Sequence, residues 1–309
     1  MGRRVLLALA IVIAIVLAGY SVFRVLLGGG PGEPGSIPSA SASASAATAP
    51  SAVRERVVVR SAAGTLERRG PDGKWIKLLP GDEISAKDQI RTGEGATASI
   101  DLGDTVTVDV AEQTVLNVAE LSSTLSRVRL DDGRIVSKVR GTKGYRFRVQ
   151  VKGSDAVAET ASGRFAVMRR SGGAVTVAAQ EGAVNVKAQQ QDVRVEAGEQ
   201  SVVNPGSAPS PPSKIPTSLL LKLGKPPSRL RKRETEIAGE TAPGAIVTIN
   251  GVHTTAGSDG SFARTVALRE GANDIVVVVE DVLGRRKEAE LPKITVDSRA
   301  PGVRGTVVW

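Results

Sequence analysis

Apolar and polar residues alternate along most of the chain beyond residue 53. Ala96, Ala98, Ile100 and Leu102 alternate with Thr97, Ser99 and Asp101, and Val106, Val108 and Val110 repeat the pattern. A period of two sends successive side chains to opposite faces, so these segments predict half-buried strands. Shorter runs of the same kind are Val57-Val58-Val59, Trp75-Ile76-Lys77-Leu78, Val128-Arg129-Leu130, Phe147-Arg148-Val149, Phe165-Ala166-Val167, Val175-Thr176-Val177, Val184-Asn185-Val186 and Val193-Arg194-Val195. Turn chemistry separates them, as at Gly70-Pro71-Asp72-Gly73 and Pro80-Gly81-Asp82. Gly81, Gly93, Gly133, Gly182 and Gly198 are predicted to supply tight turns between short strands. Residues 130–135 and 179–184 read as two copies of a strand–turn–strand unit, which suits a rolled sheet or a short solenoid. No stretch of residues 54–203 offers a helical period.

From residue 234 the strands become denser. Val247-Thr248-Ile249 runs into Asn250-Gly251, a hairpin signal. Ser258-Asp259-Gly260-Ser261-Phe262 is a turn followed by a strand start, and residues 275–279 are continuously apolar, as in a strand covered on both faces. About seven strands in roughly 65 residues suit an immunoglobulin-like β-sandwich. The predicted class is all-β, preceded by one helix.

That helix is the N-terminal exception. Arg3 and Arg4 precede nineteen uncharged residues, 5–23, carrying Val5, Leu9, Ile13, Leu17 and Phe23. Such a helix would be about 28 Å long, close to the thickness of a bilayer core. The two arginines favour a cytoplasmic N-terminus. The expected location is therefore the bacterial inner membrane, single-pass, with the bulk of the chain in the periplasm. A cleaved signal peptide is the alternative; small-residue sites around residues 40–47 exist but lie far from the apolar run. Residues 28–53 are Gly, Pro, Ser and Ala with almost no charge and predict a linker. The few residues before the apolar run leave no room for a cytoplasmic domain on this reading.

Composition adds two constraints. Aromatic residues are only 3% of the chain, so valine and alanine must fill the cores, and there is no cysteine to form disulfides, thiolate sites or a nucleophile. The net charge of +9 is unevenly spread: residues 204–233 hold seven Lys or Arg and no acid. That basic, Pro-rich connector is expected to be a solvated linker, or to touch anionic lipid or wall polymer. The predicted plan is a membrane anchor at 1–27, a linker at 28–53, a β domain at 54–203, the connector at 204–233, a β-sandwich at 234–298 and a tail at 299–309.

Candidate chemistry is sparse. The single histidine, His253, is expected in an exposed polar loop. Asp101, Asp104 and Asp109 are spaced as outward acids on a strand rather than as a cation site, and Asp259-Gly260 lacks the other ligands of a calcium loop. Trp75 is expected to be packed rather than to serve as a ligand platform. No catalytic, metal or cofactor-binding residue is predicted, no cofactor, no small-molecule substrate and no nucleic-acid partner. The chain reads as a non-enzyme.

Residues 57–203 resemble the FecR family of bacterial periplasmic regulators. The resemblance rests on Gly64, Trp75, Leu79-Pro80-Gly81-Asp82, Asp88, Ile90-Arg91-Thr92-Gly93, Leu130-Asp131-Asp132-Gly133, Ser162-Gly163-Arg164-Phe165-Ala166-Val167, Glu181-Gly182-Ala183-Val184 and Ala197-Gly198-Glu199-Gln200. Residues 235–297 are similar to bacterial Ig-like domains such as domain B of glucodextranase, through Gly239, Ala242-Pro243-Gly244-Ala245, Asp259-Gly260-Ser261-Phe262 and residues 268–273. The motif residues are scaffold on this reading. The first resemblance implies envelope sensing or regulation and the second a spacer or adhesive unit. The expected function is a membrane-anchored envelope protein that binds, senses or scaffolds, with an envelope protein or cell-wall polymer as partner. The alternatives are a FecR-type transmembrane signalling regulator and a wall-polysaccharide-binding accessory.

Overall fold

The computed structural model describes residues 56–141, 143–170 and 172–298. The expected membrane segment with Val5, Leu9, Ile13, Leu17 and Phe23, the 28–53 linker and the 299–309 tail lie outside the described residues. Every regular element among the described residues is a strand.

The first module opens with β1 (Val57–Ala63), β2 (Leu66–Arg69), β3 (Trp75–Lys77), β4 (Glu83–Ile84) and β5 (Gln89–Thr92). It continues with β6 (Thr97–Leu102), β7 (Val106–Val110), β8 (Val115–Leu121), β9 (Leu125–Arg140) and β10 (Arg146–Val151). It closes with β11 (Val157–Thr160), β12 (Ser162–Arg169), β13 (Val175–Ala188), β14 (Gln191–Glu196) and β15 (Glu199–Val203). Residues 204–233 contribute β16 (Ser213–Lys214), β17 (Leu221–Leu223) and β18 (Arg229–Leu230). The second module has β19 (Glu234–Thr241), β20 (Ile246–Ile249), β21 (Val252–Thr255), β22 (Ser261–Ala267), β23 (Gly271–Glu280) and β24 (Arg286–Val296).

Two layers enclose the first core. One runs β4-β1-β6-β7-β9-β12-β13-β15-β16, and the other runs β3-β2-β5-β8-β9-β10-β11-β13-β14. Strands β9 and β13 belong to both. Residues 125–132 of β9 pair with β8 and β10 in the second layer, and residues 133–140 pair with β7 and β12 in the first. In the same way β13 leaves β12 and β15 to join β11 and β14. Alternating valines, with Phe147 and Phe165 tilted against each other at 6.0 Å between ring centres, fill the space between the layers.

The layer change explains two glycines. Gly133, at φ 99°, sits where β9 bends, and a Cβ there would lie 2.5 Å from the Thr114 Cα. Gly182 faces Gly163 where β13 bends, and a Cβ on Gly163 would lie 2.3 Å from the Glu181 carbonyl. The expected turns at Gly133 and Gly182 are therefore bends inside long strands, and the two expected strand–turn–strand units are β9 and β13 themselves. A solenoid would stack its units in chain order, whereas β9 lies between β7 and β12 in one layer and between β8 and β10 in the other. The arrangement is a sheet rolled over onto itself.

The second module pairs a three-stranded sheet, β17-β19-β22, with a five-stranded one, β18-β24-β23-β20-β21. Ile237, Val247, Ile249, Phe262, Ile275, Val277, Val279 and Ile294 pack between them. The 204–233 segment differs from the expected solvated linker. It is built into the fold because Leu219, Leu221, Leu223 and Leu230 pack against this second core.

Candidate functional site

The two modules meet along a seam. Phe165-Ala166-Val167-Met168 and residues 175–179 are buried on both faces of the first layer. One face looks into the rolled core. The other places Ala166, Met168 and Ala178, with Val136 of β9, against Ile246 and Val282 of the second module. A continuous apolar run in an antiparallel sheet signals cover on both faces; sequence reasoning missed the seam because it took these runs only as strands.

Polar groups ring the apolar patch. Arg134 of β9 pairs with Glu280 of β23 at 3.2 Å, and Arg286 of β24 bridges Glu280 at 3.1 Å and Glu112 at 2.5 Å. Thr176 donates from Oγ1 to the Gly244 carbonyl at 2.9 Å, and Gln200 donates from Nε2 to the Pro243 carbonyl at 3.3 Å. Arg285, held by Asp281, donates to the carbonyls of Pro216 and Thr217 at 2.7 Å each. Burial weakens the charge on Arg286, but Glu280 and Glu112 outweigh it and raise its pKa. The seam thus joins an apolar centre to a rim in which charges are matched.

A cleft of about 360 Å³ opens on this seam, lined among others by Gln113, Arg170, Thr248, His253, Glu280 and Arg286. His253 is on β21, not in the expected exposed loop, and is half-buried with its Nδ1 2.9 Å from the Thr248 Oγ1. Burial, followed by the nearby Arg170, lowers its pKa below the usual 6.5, against an opposing pull from Asp132. The shift favours the neutral imidazole. The surrounding groups are matched cations and carboxylates, an arrangement suited to holding surfaces in register.

The second candidate surface is the outer face of the other layer. Strand registers place Glu120, Arg127, Arg148, Glu159, Asn185 and Arg194 in one row across six strands. Arg127 pairs with Glu120 at 3.0 Å, and Glu159 accepts from Arg146 at 2.8 Å and from Arg148 at 2.6 Å. Burial pushes the Glu159 pKa up, but the bonds from Arg148 and Arg146 outweigh it and hold the carboxyl below its usual range. At the β3 edge, Trp75 lies under the guanidinium of Arg91 at 4.0 Å and near that of Arg69 at 5.0 Å. This face is a lattice of charge-assisted bonds, the kind of surface that positions a polar partner.

The remaining motif residues sit in the scaffold. Gly81 (φ 94°) makes a turn closed by Asp82, which accepts from the Leu79 N–H at 2.8 Å. Arg91 pairs with Glu67 at 2.6 Å, and the buried Thr92 accepts from the Thr114 N–H at 3.0 Å. The Gly93 N–H donates to the Thr65 carbonyl at 2.9 Å, and the Gly198 N–H donates to the Ala179 carbonyl at 2.9 Å. Gly239 lets Phe262 approach, since a Cβ there would lie 2.7 Å from the Phe262 Cζ. Asp259 caps Gly260-Ser261, accepting from the Ser261 N–H at 3.0 Å. Gly244 alone of this set touches the seam: a Cβ on it would lie 2.1 Å from the Thr176 Oγ1. Asp101 accepts from Arg60 and Thr107, and Asp109 accepts from Ser99, so these acids serve separate networks.

Comparison with known proteins yields one family. Residues 88–185, from the start of β5 into the second half of β13, match the family model described as FecR protein. No curated protein matches the chain. Two solved structures of a candidate anti-sigma factor from Parabacteroides distasonis align at 22% and 21% identity, each with a TM-score of 0.37. Each alignment covers 41% of this chain and 59% of the other, so the chain spans under two thirds of those relatives. A polysaccharide lyase structure aligns over 79% of this chain and 40% of its own at 9% identity, with a TM-score of 0.20. At these TM-scores the structural alignments do not bear on function.

Proposed function

We propose that this chain is a FecR-type signalling regulator of the bacterial cell envelope. The observation that carries the reading is the FecR match over residues 88–185. That segment contains all of β9, β13 through its bend, and every member of the outward row except Arg194. In this reading the row is the surface that meets a protein partner. Arginine forks already held by carboxylates lose little entropy on docking and present donors in fixed directions.

The second module is an Ig-like spacer in this proposal, and residues 5–23 are the inner-membrane tether that keeps both modules in the periplasm. It recognises surfaces and does no chemistry. Deleting the gene in the host bacterium tests it. A discrete set of transcripts changes, the intact chain restores them, and a chain with Arg127→Glu and Arg148→Glu, produced at normal level and folded by circular dichroism, does not. An unchanged transcript profile, together with retention of the protein on purified cell wall, would replace signalling by a wall-binding role.

A further inference from the structure

The basic segment 204–233 is not absorbed by either surface above. Its backbone is pinned. Strand β17 pairs with β19 at the edge of the three-stranded sheet, and β18 runs parallel to β24 at the edge of the five-stranded sheet. Strand β17 also contacts β24, so the segment straps one flank of the sandwich, opposite the flank where β21 meets β22. Leu219, Leu221, Leu223 and Leu230 turn inward. What points outward is Leu220, 44% exposed, then Lys222, Lys225, Arg229, Arg231 and Lys232.

Exposed cations are ordinarily a solvated face and need no ligand. Four observations separate this strap from that case. Seven basic residues stand in thirty positions without one acid. Lys222 reaches Glu240 and Arg233 reaches Glu270, but none of Lys225, Arg229, Arg231 and Lys232 forms an ion pair among the described residues. Strand pairing places Arg229 in β18 and holds the chain on both sides of Lys225, with Arg231 and Lys232 directly after β18, so these cations are displayed without the full entropy cost of ordering a coil. A large exposed apolar side chain stands on the outward side of the same strap.

We propose that this strap docks on an anionic lipid bilayer, with Leu220 seated at the headgroup boundary and the four unpaired cations facing lipid phosphates. Charge complementarity favours the bilayer. An apolar knob on an exposed basic segment is the chemistry of interfacial binding, in which apolar burial and attraction to anionic lipid act together. An acidic wall polymer, the competing occupant, would leave Leu220 without a role. The proposal does not depend on the signalling reading.

The chain has no cysteine, so a single introduced thiol labels cleanly. The full chain is reconstituted in vesicles of phosphatidylcholine with or without phosphatidylglycerol, carrying an environment-sensitive dye at Leu220→Cys. The control dye sits at Val252→Cys, which is 39% exposed on β21, the far edge of the five-stranded sheet. The Leu220 dye shifts to the blue and is quenched by headgroup-linked quencher in anionic vesicles, and both signals are lost in neutral vesicles or 0.5 M salt (roughly a 4 Å screening length). Arg229→Gln with Arg231→Gln lowers the docked-to-free ratio roughly 30-fold. Equal dye signals in neutral and anionic vesicles, an equal response at Val252, or a response only to added polygalacturonate would each overturn the proposal.

Discussion

Gly133 and Gly198 share a left-handed backbone, at φ 99° and 83°, but not surroundings. A Cβ at Gly198 meets nothing within 4 Å, whereas at Gly133 it would lie 2.2 Å from the Thr114 Oγ1 and 2.5 Å from the Thr114 Cα. Gly198→Ala therefore carries only the left-handed penalty, about 1–2 kcal/mol. Gly133→Ala adds a collision with backbone that cannot rotate away, and is expected to cost about 3 kcal/mol or more. Urea denaturation of both variants checks this; equal losses would mean that β9 does not bend against Thr114. His253 offers a second test at this scale. Its folded pKa is depressed, so below the usual 6.5 the unfolded chain takes up the proton more readily than the folded one. Its contribution is complete above pH 6.5 and is lost as the pH falls from there through the lower folded pKa. His253→Gln should flatten that decline between wild-type and variant stability curves while leaving the acid loss of the carboxylates in place. A pH-independent difference between the two curves would show that the imidazole is not desolvated.

At the scale of elements, alternation made most strands legible. Ala96 to Leu102 and Val106 to Val110 became β6 and β7, because each side chain's fate in a half-buried strand is decided by its own polarity. The long strands were not legible in the same way. Asp131-Asp132-Gly133 and Glu181-Gly182 carry the composition of turns, and local chemistry favours reversing the chain there. What prevents reversal is pairing on both sides: Gly133 is opposite Arg169 of β12, and Gly182 is opposite Gly163. These are partners more than 15 residues away, to which a local window is blind. The strap misled for a related reason. Prolines and lysines give it the composition of a linker, yet Leu219, Leu221 and Leu223 already stand in strand alternation, and β19 supplies the edge that captures them. For the candidate site the legible part was Gly244. The Arg134, Glu280, Arg286 and Glu112 network joins residues up to 174 positions apart and left no local trace.

At the scale of the whole described body, the seam decides whether the two modules behave as two objects or one. A flexible join would need a polar, weakly packed boundary, as between domains that move independently. Here Val136, Ala166, Met168, Ala178, Ile246 and Val282 form a third apolar cluster between the two cores, and Ile215 of the connecting segment packs onto it. Each large side chain buried there contributes about 1.5–3 kcal/mol, enough in sum to tie the melting of one module to that of the other. The Arg134–Glu280 pair, at 19% and 13% side-chain exposure, fixes the register of that contact, since leaving either partner alone strands a partly buried charge. Residues 56–298 are accordingly expected to give one calorimetric transition. Val282→Asp places a carboxylate against the apolar Met168 and Ile246 and should split the melt into two transitions by weakening the seam without touching either sheet. Two transitions in the unaltered chain would show that the seam is too weak to couple the modules. One transition in the Val282→Asp variant, at an unchanged midpoint, would show that this patch does not carry the coupling.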